Sequence, residues 1–146
     1  MYEGILVLHN TLRWLLLISL VITLARYLAG WLGNLSWKKL DNVLGIVFTS
    51  LMDLQLLLGL VLYFFISPVM KAAFSDFGAA MKDASLRFYA VEHFSMMLIA
   101  VVLVHIGRAK SKKAKTDRKK FMTASIFFLI ALVLILAAIP WSRIQN

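Results

Sequence analysis

Four stretches of this chain, at about 5–28, 43–66, 88–106 and 121–139, are long and apolar enough to be read as bilayer-crossing helices, because a hydrocarbon core of about 30 Å takes roughly 20 apolar residues in a helix. Hydrophobic residues make up 62% of the chain and the mean hydropathy is +0.85. A soluble domain needs more polar surface than that leaves, its apolar share being usually about half. The expectation is all-α: an integral membrane four-helix bundle, with residues 1–146 forming a single transmembrane domain.

The formal net charge of +9 would by itself suit a nucleic-acid surface, but its distribution argues against one. The segment 108–120 (R-A-K-S-K-K-A-K-T-D-R-K-K) holds eight Lys/Arg against one Asp, which reads as a short loop flanking membrane spans. Such loops stay in the cytoplasm. Alternation then puts the first connection inside as well, where Arg26, Lys38 and Lys39 agree, and the 67–87 connection outside. Both termini are expected on the outer, periplasmic side. Trp14, Trp31, Trp37, Tyr63, Tyr89 and Trp141 lie mostly towards span ends, as interfacial aromatics do. The first span has no basic stretch ahead of it and no clean small-residue cleavage pattern after it, so it is expected to be retained. Ser67-Pro68 should stop the second helix, and 69–80 reads as a short amphipathic helix in the interface.

There is no cysteine, which removes disulfides, thiolate metal sites, iron–sulfur clusters and covalent haem attachment. The chain also carries no nucleophile–base motif, phosphate loop or metalloprotease signature. Independent catalytic activity is not expected.

Ionisable groups within spans are costly and face a bundle interior, a cavity or a cofactor. The polar residues inside the spans are His9, Arg13, Asp53, Gln55, Glu92, His93 and His105. His9 and His93 each lie a few residues inside the outer ends of the first and third spans, so they can share one layer. Arg13, four residues after His9, lies on the same helix face. His105 is separated from His93 by about 18 Å along the helix and roughly 120° around it, so the two cannot ligate one iron, and no other histidine lies at its depth. Asp53 and Gln55 fall near mid-bilayer.

Two neutral imidazoles from facing helices are one way to hold haem b, and Arg13 or Arg87 can neutralise a propionate. Each residue also has a plain reading. His9 and His93 can hydrogen-bond backbone or water, and His105 can be interfacial. Arg13 can snorkel or pair with Glu92, and Asp53 can hydrogen-bond a neighbouring helix. Gly45, Gly59, Gly107 and Ala131 suit close helix contacts.

The segments L-H-N-T-L-R-W-L-L-L (8–17), L-Q-L-L-L-G-L-V-L-Y-F (54–64), R-F-Y-A-V-E-H-F-S-M-M-L-I-A (87–100), H-I-G-R-A-K-S-K-K (105–113) and I-P-W (139–141) resemble, over essentially the whole chain, a family of small four-helix bacterial membrane proteins described as cytochrome b-like. The resemblance implies a multi-pass protein of the bacterial cytoplasmic (inner) membrane, with haem b and electron transport. It also implies a departure. Relatives often carry a histidine just before the L-Q-L-L-L-G-like stretch, where this chain has Asp53, whereas His9 and His93 match.

Three functions compete on these grounds. One is electron transfer through haem b bound between the first and third helices, with His9 and His93 on the iron and Arg13 beside it. Another is a non-catalytic structural or accessory subunit of a larger membrane complex, whose fourth helix packs on other membrane protein subunits through Ala131 and Ala138. The third is a small proton- or ion-conducting protein using Asp53, Glu92 and Arg13. The partners expected are the lipid bilayer and other subunits, not nucleic acid.

Overall fold

A computed structural model describes residues 1–143, which form helices and no strands. The elements are α1 (Tyr2–Leu32), α2 (Lys39–Ile66), α3 (Pro68–Ser75), α4 (Phe77–Ala80), α5 (Ala84–Lys113) and α6 (Asp117–Ala138), followed by a 3-10 turn at Trp141–Arg143. Four of them, α1, α2, α5 and α6, are long and apolar enough to cross a membrane. They pack as a ring in the order α1, α2, α5, α6, so that α1 lies diagonally across from α5 and α2 from α6. Up-and-down threading brings the start of α1 and the end of α6 to one end of the bundle, the terminal end, and the Lys/Arg-rich stretch to the other, the basic end.

All four spans outrun the apolar stretches that mark them. The largest difference is at the basic end, where the expected 108–120 loop shrinks to residues 114–116 because α5 continues to Lys113 and α6 starts at Asp117. Lys and Arg are good helix formers, and at a helix C-terminus they complement the dipole. The Thr116 hydroxyl accepts the Lys119 N–H as the N-cap of α6, and Ser111 Oγ donates to the Lys120 carbonyl at 2.7 Å, tying the two helices together.

A second polar tie joins α1 to the start of α2. Asp41, fully buried, takes Arg26 Nε at 2.7 Å and the Lys38 N–H at 2.8 Å, while Tyr27 donates its hydroxyl to the Asp41 carbonyl at 2.6 Å. The carboxylate is at once an ion-pair partner and a cap for the first turn of α2.

Above this tie the core fills with rings. Tyr27, Phe48, Phe121 and Phe128 are fully buried, with Phe48 and Phe128 edge to face at 5.0 Å. Two glycines permit this packing. A Cβ on Gly30 would come within 2.6 Å of the Phe121 ring, and one on Gly107 within 2.3 Å of Phe127 Cβ, so both close helix contacts require the missing side chain. The outward surface is apolar at Ile18, Val21, Leu57, Val102 and Val133, all more than half exposed, as a lipid-facing surface is.

The fourth helix differs from its expectation. Its Phe121, Ala124, Phe128, Ala131, Ile135 and Ala138 form an inward stripe, and Ala131 and Ala138 are both fully buried within the bundle. They are therefore not available to a partner. From Phe127 to Ala138 no polar residue marks one face, so this part of the stripe is invisible in the sequence, and small residues at close helix contacts create it.

Between α2 and α5 the chain lies across the terminal end. Ser67 caps α3 by accepting the Met70 N–H at 3.3 Å, with Pro68 in the first helical turn. The expected single helix over 69–80 is two short ones, which bury Met70, Ala73 and Ala80 and expose Phe74 and Ser75.

Candidate functional site

In the terminal half the diagonal helices α1 and α5 are held apart around a cavity of about 610 Å³, within the size range of small-molecule and cofactor pockets. His9 and Arg13 enter it from α1, Gln55 and Tyr63 from α2, and His93 and Met97 from α5; Met70 of α3 and Ile139 line it as well. The sequence placed His9 and His93 in one layer with Arg13 one turn away on the same face of the first helix, and all three border this one space.

Two π-helical turns, Leu62–Ile66 and Phe88–His93, flank the cavity. Such turns insert an extra residue, redirect the side chains that follow and recur at functional sites. His93 is the last residue of the second. Tyr63 secures the two helices at this level, donating to the Ala90 carbonyl at 2.7 Å and stacking on Phe94 at 4.1 Å between centroids.

The two histidines are held differently. His93 Nδ1 lies 2.7 Å from the Ala138 carbonyl, an atom that can only accept, so the proton is on Nδ1. In the neutral imidazole Nε2 then keeps its lone pair. Metal-binding histidines are typically oriented in this way, the second ring nitrogen donating to a carbonyl. On α1, the His9 backbone carbonyl accepts Gln55 Nε2 at 2.9 Å, while the His9 ring packs over Gly59, where an added Cβ would stand 3.4 Å from Cε1.

Buried polar atoms without partners gather here. Among the described residues they are His9 Nδ1, Arg13 Nε, Gln55 Oε1, Glu92 Oε2 and Ser125 Oγ, and the first three belong to cavity-lining residues. Native structures satisfy nearly all such groups, with bound molecules where the protein does not. Arg13 is further underused, its one hydrogen bond being a long 3.4 Å contact with Asn10, with Trp14 beneath the guanidinium at 5.1 Å.

Several sequence expectations change. Glu92 does not pair with Arg13. It takes Arg87 Nε at 2.9 Å, and Arg87 also reaches the Met81 carbonyl, so neither lines the cavity. The π-helical turn between Arg87 and His93 brings these two side chains together. His105 was expected to have no partner at its depth, yet its Nε2 lies 2.6 Å from Asp53 Oδ1. The depth estimate assumed untilted helices and compared histidines only. Asp53 and Gln55 were grouped together, but residues two apart on a helix point to nearly opposite sides, and Gln55 faces the cavity while Asp53 faces outward. Asp53, where the resemblance implies a histidine, is thus not at the His9/His93 cavity.

Sequence reasoning did not single out Tyr63 beyond an interfacial aromatic, and did not single out Met97. Both spacings were visible, since Tyr63 is one turn past Gly59 and Met97 one turn past His93, but the cavity that makes them matter is tertiary.

The donor set suits a cofactor that brings most of its own ligands. Among the described residues no group of three or more His, Cys, Asp and Glu could hold a metal ion, whereas iron within a porphyrin needs only two axial side chains. Two histidines, a free guanidinium and apolar walls fit that need. No family model, curated protein or solved structure matches the chain.

Proposed function

We propose that this chain is a cytochrome b-like electron carrier of the bacterial cytoplasmic membrane, binding haem b between α1 and α5. One observation carries the reading: His9 and His93, on diagonal helices, line a single cavity, with His93 Nδ1 tied to a backbone carbonyl and Nε2 left free. His9 and His93 would hold the haem iron, and Arg13 would pair with a propionate. Bound haem supplies a one-electron couple whose potential depends on ligands, hydrogen bonds and burial.

The protein's own groups have separable roles in this reading. The Ala138 carbonyl fixes the ring orientation and tautomer of His93. Gln55 holds the α1 backbone at His9. Arg13 keeps positive charge beside the site, and Met70, Ile139 and Pro140 close part of the terminal end against water. The basic residues around the α5–α6 connection support a cytoplasmic basic end and periplasmic termini. The ion-conducting alternative has less support, because Asp53, Glu92 and Arg13 stand in three separate places with different partners.

The test is the visible absorption spectrum of the protein purified from membranes of haem-sufficient cells. A Soret band with α and β bands that sharpen on dithionite reduction is expected. A folded, colourless protein that takes up no added haem would overturn the proposal.

A further inference from the structure

On the outward side of the bundle, α2 and α5 bring a carboxylate and an imidazole together. His105 Nε2 lies 2.6 Å from Asp53 Oδ1, with the side chains 47% and 55% exposed. Around the pair the surface is apolar, with Leu54 and Leu57 on α2 and Val102 and Ile106 on α5 exposed. Asp53 stands about 21 Å along α2 from Lys39, at 1.5 Å per residue, in the middle of the helix. Its short side chain cannot snorkel to a headgroup layer as Lys or Arg does. Intramembrane ionisable groups almost always face protein or a water-filled cavity rather than lipid. Here they face out.

Carrying no net charge between them, the two groups leave His105 Nδ1 and Asp53 Oδ2 as one donor and one acceptor, neither with a partner among the described residues. Lipid tails offer neither partner. A patch with one donor and one acceptor is self-complementary. A two-fold axis along the membrane normal carries every atom to equal depth in a second copy, so residue i meets j and j meets i. The α2 surface suits such a contact. Ile46, Ser50, Asp53 and Leu57 are all exposed, at the alternating four-and-three spacing of a helix–helix seam, and Ser50 is small enough for close approach.

We infer that the α2/α5 face bearing Asp53 and His105 is the docking surface for a second copy of this chain, each pair closing on the other in a two-fold dimer within the membrane. His105 Nδ1 and Oδ2 of the partner's Asp53 share a hydrogen bond, and the reverse contact completes a four-residue ring. This rests on the outward pair, not on haem, and stands or falls separately from it.

Cross-linking tests it directly, because the chain has no native cysteine. In native membranes, Ser50→Cys should form a disulfide-linked species of twice the chain mass under mild oxidation, while Val133→Cys, on the diagonally opposite α6, should not. Wild-type protein in lipid nanodiscs should bleach in two steps when singly labelled. The double variant Asp53→Leu with His105→Leu, which suits lipid contact, should remain folded and shift dimer dissociation to at least tenfold higher protein-to-lipid ratio. Exchange of the pair, Asp53→His with His105→Asp, should restore the dimer. Monomeric wild type, an undiminished dimer in the double-leucine variant, or cross-linking through Val133 instead of Ser50 would overturn it. Photo-cross-linking from Ser50 to a different protein would overturn the second-copy assignment.

Discussion

Replacing Arg13 by alanine separates the anchoring of the cofactor from its ligation. Among the described residues, the guanidinium borders the cavity with Nε partnerless and has one hydrogen bond, the 3.4 Å contact with Asn10. Little native bonding is therefore lost on truncation beyond the Trp14 contact, which is worth about 0.5–1 kcal/mol at an exposed site. A charge-assisted hydrogen bond to a carboxylate contributes about 1.5–3 kcal/mol, and each 1.4 kcal/mol is about tenfold in affinity. Arg13→Ala should thus weaken haem binding by about ten- to a hundredfold. His9 and His93 are untouched, so the bound spectrum should keep its band positions. Arg13→Lys should recover part of the loss, having the charge without the planar fork. The assay is titration of apo-protein in detergent with haem, followed at the Soret band. Unchanged affinity in Arg13→Ala would refute the propionate role, and a changed ligation spectrum would refute the separation of anchor from ligand.

Other consequences are independent of the cofactor. Asp41→Ala removes a buried ion pair with Arg26 and the cap on α2, which should cost about 2–4 kcal/mol; unfolding in mixed micelles measures this, and an unchanged midpoint would contradict the tie. Ser125→Ala removes a buried hydroxyl with no partner and should be neutral or stabilising by up to about 1 kcal/mol in the same assay, whereas a clear loss would mean the hydroxyl is bonded. For topology, Lys115→Cys and Ser75→Cys, both at exposed positions, should react oppositely with an impermeant maleimide in intact cells. Ser111, only 2% exposed, cannot serve as the reporter. Labelling of Lys115→Cys from outside would reverse the orientation.

The fold was legible where the physics is one-dimensional. Apolar length alone marks four helices, and counting residues at fixed rise puts His9 and His93 in one layer, with Arg13 one turn from His9 on the same face. What escaped depends on which way a residue faces and on who its neighbour is. Asp53 and Gln55 share a depth but not a side, and only the helix period, applied to both, separates them. Nothing in the sequence marks Asp41 as buried, although its place three residues after Lys38 carries the spacing of a capping box. The inward stripe of α6 has no polar contrast to reveal it, so Ala131 and Ala138 could be assigned to either side. Tyr63 and the π-helical turns acquire a role only once α2 and α5 pack, and no local pattern announces them.

The central claim is that His9 and His93 together hold haem iron within the cavity. Its most direct measurement is the haem content and reduced-minus-oxidised spectrum of three single variants purified alongside the wild type. His9→Ala and His93→Ala should each abolish the bis-histidine spectrum while the protein still purifies as a folded membrane protein. His105→Ala should leave it intact, because its imidazole is engaged with Asp53 on the outward face. Haem that survives both His9→Ala and His93→Ala, or that disappears only when His105 is replaced, would contradict the account.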